Sequence, residues 1–335
     1  MTFDWQFANE CFINEMSADK NTDLFNQPDL IIDTDDNQSW ASEELVMLKN
    51  SFFESLDTHA LELFNAWSNK SEHCSLKVST YFQAYADQLH SYRGRNCTLV
   101  EIGVMEGGSL LAWKEWLGPG ARVIGIDINP EAKELEKEGI EIIIGNQADP
   151  TFWEVFLKEN NDIDIIIDDG GHQYFQQALT FFCILCHAKR KIQFIVEDTS
   201  TSFFSNFLEQ NEESFVSLMK QVIDNLNLKQ IFSKKGLSNW RNEIDLQIVK
   251  EYQKIQSLCF YSGLISMKID PLKGLIPLYL YNANRRTKKE DLRHSGSITG
   301  VKFTWPDPTK PRDVLFKGLV ESKNKLLVDV RKKTK

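Results

Sequence analysis

The chain has 335 residues, 42% hydrophobic and 26% charged, which suits a globular protein with room for one large core and an appendage. Its formal net charge of −10 speaks against a general nucleic-acid binder, which needs basic surface for phosphate contacts. The charge is uneven: Asp33, Asp35, Asp36, Glu43 and Glu44 make the opening acidic, while Arg285-Arg286 through Arg331-Lys332-Lys333 make the last part basic. No basic-then-apolar leader opens the chain and no apolar run approaches the roughly 20 residues of a membrane span, so a cytoplasmic location with reduced cysteines is expected.

Residues 1–75 read as a small helical cap or arm, because Leu45, Leu48, Phe52, Leu56, Leu61 and Phe64 recur at helical spacing between Ser42 and Trp67. From about Leu99, short Ile- and Val-rich runs alternate with amphipathic stretches. The expected strands are Thr98–Gly103, Arg122–Asp127, Ile140–Gly145, Ile163–Asp168 and Gln193–Glu197. The expected helices are Ser109–Trp116, Glu131–Glu138, Thr151–Glu159, Gln173–His187 and Glu212–Leu226. Strands that are apolar throughout and separated by helices indicate a parallel sheet covered on both faces. Ser257–Tyr261 and Leu264–Ile269 flank Ser262-Gly263, the pattern of a tight hairpin. Residues 76–271 are therefore expected to form an α/β domain with a doubly wound, Rossmann-like sheet, mostly parallel with an antiparallel edge. Residues 272–335 read as a basic C-terminal extension. Cys183-Ile184-Leu185-Cys186-His187 matches the spacing of a c-type haem attachment, but it lies in an apolar helical stretch and reads as buried thiols.

The first expected strand runs into a glycine-rich turn, Glu101-Ile102-Gly103-Val104-Met105-Glu106-Gly107-Gly108-Ser109. Glycine admits a ligand close to the backbone, and a helix opening at Gly108-Ser109 would present its N-terminus there. The second strand ends in Asp127, about 20 residues on, where an acid holds ribose hydroxyls. The third ends in Gly145-Asn146-Gln147-Ala148-Asp149, whose polar groups could edge an adenine. Singly these are a weak turn and common helix caps; in this order they point to a nucleoside. An NAD-dependent oxidoreductase is the rival reading. Its fingerprint wants glycine where Met105 stands, and Glu106 would repel a diphosphate but not a sulfonium.

The fourth strand ends Asp168-Asp169-Gly170-Gly171-His172 and the fifth ends Glu197-Asp198-Thr199. Neighbouring parallel strands deliver their ends to one edge, so Asp169, Glu197 and Asp198 offer three hard oxygen ligands, a set suited to Mg²⁺ or Ca²⁺ rather than zinc. Asp168 is grouped with the cofactor contacts. A divalent ion makes a hydroxyl more acidic, and His172, beyond a Gly-Gly turn, carries an imidazole suited to take the proton. The alternative is that these acids merely cap the following helices.

These residues resemble the metal-dependent sugar O-methyltransferases of macrolide and related glycoside biosynthesis. The likeness runs from about Lys77 to Ile269 and includes Lys77–Tyr85, the glycine turn, Gly145–Asp149, Asp169-Gly170-Gly171-His172, Glu197-Asp198-Thr199 and Phe260-Tyr261. It implies a class I methyltransferase using S-adenosylmethionine and Mg²⁺, with Asp169, Glu197 and Asp198 on the metal. It further implies His172 as the base towards one of two neighbouring sugar hydroxyls, Glu101, Gly103 and Asp127 on the cofactor, and Tyr81 and Glu106 bordering the active site. Two departures stand out: Asn146 where the family has Asp, and Lys189-Arg190-Lys191 where it has a glycine pair.

The expected substrate is a sugar, glycoside or glycan; a catechol-like or other diol would serve the same metal. A non-catalytic binding module is a further alternative, against which the intact acids and His172 count. Phe203, Phe204 and Phe207 read as core in preference to an acceptor wall. The basic tail is expected to be solvated; pairing with the acidic arm of a second subunit would instead make a homo-oligomer.

Overall fold

The computed structural model describes residues 51–70, 72–208, 213–223, 226, 251–252 and 254–271. The expectations for the acidic opening, including the periodic stretch before residue 51, and for the basic extension after 271 lie outside the described residues. Two compact units divide the chain. One runs to Asn96 and takes in Met105–Ala121; the other comprises Cys97–Val104 and the residues from Arg122 onward.

The first unit is helical, with α1 (Thr58–Ser68), α2 (Tyr81–Leu89) and α3 (Gly108–Leu117). Asp57 caps α1, its side chain accepting from the Ala60 N–H at 2.8 Å. That cap splits the long periodic stretch read from Ser42 to Trp67, since residues 51–55 are helical and the helix restarts at Thr58. Aromatic rings fill this unit edge to face. Phe64 meets Phe82 at 5.3 Å, and Tyr85 meets Trp113 at 4.9 Å. The Trp116 indole N–H donates to the His59 carbonyl at 3.0 Å, fastening α3 to α1.

The second unit is built on a seven-stranded sheet: β1 (Cys97–Ile102), β2 (Ala121–Asp127), β3 (Glu141–Ile144), β4 (Ile165–Asp168), β5 (Ile192–Val196), β6 (Ile255–Tyr261) and β7 (Leu264–Ile269). Their order is β3-β2-β1-β4-β5-β7-β6. β4 lies parallel to β1 and to β5, and β3 is parallel to β2. β7 runs antiparallel to both β5 and β6, which makes the reversed edge read from the hairpin pattern. The central strands are wholly buried, and the face carrying Val100, Ile166 and Phe194 packs with Trp153 of α4 (Pro150–Glu159) and Phe181 of α5 (Tyr174–His187) in one core cluster. Each such fully buried side chain contributes about 1.5–3 kcal/mol.

One element differs from expectation. Glu131–Glu138 reads as an α-helix but forms a 3₁₀ helix, Pro130–Glu138, in which Ala132 alone is buried. With almost no apolar stripe to pack, nothing favours α over the tighter turn. Phe203 and Phe204 also depart from their expected place in the core. Phe203 ends a 3₁₀ turn and Phe204 links it to the next, and they are 76% and 59% exposed. Both cysteines of the Cys183–Cys186 pair lie on α5; Cys183 is buried as expected, while Cys186 is half-buried. Among the described residues no helix is long and apolar enough to cross a membrane.

β2 lies on one side of β1 and β4 on the other, so the strand order reverses at β1. That reversal opens a crevice beyond the carboxyl ends of β1 and β4, where ligands of doubly wound sheets sit.

Candidate metal and cofactor site

Register decides which acids meet. Ile102 pairs with Asp168, and Asp168 with Val196, so the next row across the sheet is Gly103, Asp169 and Glu197. The ladder continues through that row: the Asp169 N–H donates to the Ile102 carbonyl at 3.0 Å and the Glu197 N–H to the Asp168 carbonyl at 2.9 Å. Side chains alternate faces along a strand, which puts Glu101, two residues before Gly103, on the same face as Asp169 and Glu197. Ligand oxygens of Glu101, Asp169 and Glu197 accordingly lie within 4.8 Å of one another, with Glu101 and Glu197 buried.

A second group shares Asp169. Ligand atoms of Asp169, His172 and Asp198 also lie within 4.8 Å of one another, all three half-buried. His172 Nε2 is 3.5 Å from Asp198 Oδ2 and 4.0 Å from Asp169 Oδ1. Nδ1 is buried with no hydrogen-bond partner among the described residues, so Nε2 is the nitrogen turned to the acids. Both His172 (φ 54°) and Asp198 (φ 51°) are held in the left-handed region, which costs a non-glycine residue about 1–3 kcal/mol. Neighbouring contacts enforce those turns. Thr199 donates its N–H to the Gly263 carbonyl at 2.9 Å, Thr201 Oγ1 donates to the Asp198 carbonyl at 2.7 Å, and Gln177 Nε2 donates to the Glu197 carbonyl at 3.3 Å.

The donor set fits a hard divalent cation. Carboxylates buried this close repel one another and lose hydration, and a 2+ ion among them offsets both costs. The oxygens of Asp169, Glu197, Asp198 and Glu101 suit Mg²⁺; no sulfur ligand is present in either group. Glu101, expected on the cofactor, also approaches Asp169 and Glu197. The signal was there in principle, two residues before Gly103, but it depends on β1 lying beside β4.

Other expected contacts fall as follows. Gly103 has φ +86°, and the following Val104 N–H donates to Asp127 Oδ2 at 2.9 Å. Asp127 Oδ1 accepts from the Asn129 N–H at 2.8 Å, so Asp127 closes the β1 and β2 tips together. Asn146 accepts from the Ala148 N–H and Asp149 caps α4 through the Thr151 N–H, each at 2.8 Å. Gln147 and Asp168 are buried against each other, with Gln147 Nε2 donating to Asp168 Oδ1 at 2.7 Å. Burial pushes the Asp168 carboxyl up to about 6. In the helical unit, Gly107 (φ 85°) precedes α3, Ser109 and Tyr81 are buried, and Glu106 accepts from the Cys74 N–H at 3.0 Å.

No family model matches the chain. It is 28% identical over 169 residues to the 8-demethyl-8-alpha-L-rhamnosyl tetracenomycin-C 2′-O-methyltransferase of Streptomyces olivaceus, covering 48% of this chain and 44% of that protein. It is 26% identical over 159 residues to the mycinamicin VI 2″-O-methyltransferase of Micromonospora griseorubida, covering 44% of this chain and 39% of that protein. The chain thus spans less than half the length of these curated relatives. Among solved structures it is similar to the MycE methyltransferase from the mycinamycin biosynthetic pathway in complex with Mg and SAH. The TM-score is 0.53 at 22% identity, covering 66% of this chain and 58% of that one, a likeness of fold. The resemblance read from the sequence therefore holds: over close to half its length the chain is similar to O-methyltransferases of glycosylated natural products, on a class I methyltransferase fold.

Proposed function

We propose that this chain transfers a methyl group from S-adenosylmethionine to a hydroxyl of a sugar or glycoside, with Mg²⁺ held by Asp169, Glu197 and Asp198. The observation that carries the reading is Asp169 standing at once beside Glu101 and Glu197 and beside His172 and Asp198. A catalyst for methylating an alcohol needs carboxylates for a cation and a base within reach of them, and both converge here. When bound, Mg²⁺ supplies Lewis acidity that lowers the pKa of an alcohol, or of two vicinal hydroxyls, and stabilises the charge developing on oxygen. S-adenosylmethionine supplies the methyl group.

The chain's own residues do the rest. His172 receives the acceptor's proton at Nε2, and the carboxylates of Asp198 and Asp169 beside it stabilise the imidazolium that results. Glu101, Gly103 and Asp127 lie at the carboxyl ends of β1 and β2, where such folds hold a nucleoside, and Glu101 sits between that role and the metal acids. The named activities of the relatives, methylation of rhamnosyl and mycinamicin glycosides, support a glycoside acceptor.

Calorimetry tests the class of reaction. S-adenosylhomocysteine is expected to bind and NADH to give no heat; NADH binding without S-adenosylhomocysteine binding would overturn the proposal.

A further inference from the structure

Gln147 lies just past β3, and its side chain reaches the loop after β4 that carries Asp169 and His172. Its side chain is only 5% exposed, and every polar atom of it is engaged. Nε2 donates to Asp168 Oδ1 at 2.7 Å and to Thr180 Oγ1 at 3.2 Å, while Oε1 accepts from the Gly171 N–H at 3.3 Å. The backbone carbonyl of Gln147 accepts from the indole N–H of Trp153, a fully buried ring on α4, at 2.9 Å. Gln147 is thereby fixed from behind by α4 and grips the loop from Asp168 to Gly171 at both ends.

The fit is close. A Cβ on Gly170 would fall 2.4 Å from Gln147 Oε1 and 3.1 Å from Ile102 Cγ2, so the loop lies directly against the amide. Chemistry sets the orientation of that amide. Asp168 needs a donor, since it is completely buried, its Oδ2 has no partner, and its Oδ1 otherwise receives only the Gly170 N–H at 3.4 Å. Gly171 needs an acceptor. One primary amide serves both, and neither a carboxylate nor an apolar side chain does. Asp169 and His172 flank these two clamped points, and strand alternation sends Asp168 to the face opposite Asp169.

We propose that Gln147 is a positioning residue: it reads Asp168 and Gly171 to hold Asp169 and His172 in their ligand geometry, instead of edging an adenine. This rests on the metal-dependent reading above. Removing a hydrogen-bonded support behind a ligand typically weakens metal binding about 10–100-fold.

The test uses metal alone and cofactor product alone, with no turnover. Mn²⁺ binding is followed by the loss of its free-ion electron paramagnetic resonance signal, and S-adenosylhomocysteine binding by calorimetry, in the parent, in Gln147→Glu, and in Gln147→Glu combined with Asp168→Asn. Gln147→Glu sets carboxylate against carboxylate and is expected to weaken Mn²⁺ about tenfold or more while leaving S-adenosylhomocysteine affinity unchanged. The double swap exchanges donor and acceptor and is expected to restore Mn²⁺ binding. Should the single variant fail to fold, the double variant decides: parent-like Mn²⁺ affinity supports the assignment, and weakened affinity overturns it. Unchanged Mn²⁺ binding in Gln147→Glu, or a loss confined to S-adenosylhomocysteine, also overturns it. A parent that binds no Mn²⁺ refutes the metal reading itself, which is a separate outcome.

Discussion

Gly103 and Asp169 are packed backbone to backbone: a Cβ added at Gly103 would lie 2.0 Å from the Asp169 carbonyl oxygen and 2.8 Å from its carbonyl carbon. Both atoms belong to the main chain and cannot swing away. The glycine that opens the expected cofactor turn is therefore also what lets the β4 loop reach its place beside β1. Gly103→Ala combines that overlap with a positive φ and is expected to cost about 2–4 kcal/mol in urea denaturation. It should weaken Mn²⁺ binding as well, because Asp169 must move. Parent-like stability and metal affinity would show that the loop adapts.

Glu101, Asp169 and Glu197 crowd three carboxylates together, two of them buried. A cation that binds only the folded protein stabilises it by mass action. Adding Mg²⁺ to the parent is expected to raise its Tm, and Glu197→Gln, with one ligand charge removed, is expected to abolish most of that rise. The check is a melt with and without Mg²⁺ for each protein; equal shifts would remove Glu197 from the metal site.

His172 carries the proton in the proposed reaction. His172→Ala is expected to lower turnover by about 10²–10⁴-fold, the usual contribution of a positioned base, with S-adenosylhomocysteine affinity retained. Steady-state rates beside calorimetry test this. Near-normal turnover would exclude His172 as the base.

Arg190, in the Lys189-Arg190-Lys191 run just before β5, holds a carboxylate just before β4. Arg190 Nη2 lies 2.6 Å from Asp164 Oδ1, and Asp164 Oδ2 accepts from the Thr98 N–H at 3.0 Å. Burial raises the Asp164 carboxyl above its ordinary range, with the Thr98 hydrogen bond and then the Arg190 charge pulling it back. A carboxyl raised on folding costs stability once ionised, so that cost is absent in acid and grows as pH rises through the folded-state pKa. Arg190→Ala enlarges the cost. The variant is expected to be less stable than the parent at neutral pH, with the deficit shrinking in acid as Asp164 protonates. Denaturation curves at both pH values test this, and a deficit independent of pH would locate the effect elsewhere.

The strands were legible because runs such as Ile165–Ile167 and Phe194–Val196 are apolar on both faces, the pattern of strands in a doubly covered sheet. Their edges were less so: pairing, not composition, ends β3 at Ile144 and starts β4 at Ile165. The acids Asp169, Glu197 and Asp198 were legible as strand-end residues, and His172 as their neighbour across a glycine turn. Glu101 joining them was not, because that requires knowing that β4 lies beside β1 and in which register. The bond from Gln147 to Asp168 was hidden for a similar reason. From its position after β3 Gln147 points towards a nucleoside, and its long-range partner, Asp168, is 21 residues away. The 3₁₀ helix at Pro130–Glu138 escaped because polar periodicity alone does not separate it from an α-helix.

Metal-dependent methyl transfer to a hydroxyl is tested most directly by following a labelled methyl group. The protein is incubated with methyl-labelled S-adenosylmethionine and a panel of sugars, glycosides and diols, with Mg²⁺ or with EDTA. Label is expected in a glycoside hydroxyl, lost in EDTA and restored by excess Mg²⁺. Label transferred equally well in EDTA, or NADH-dependent turnover of the same panel with no methylation, would contradict the account.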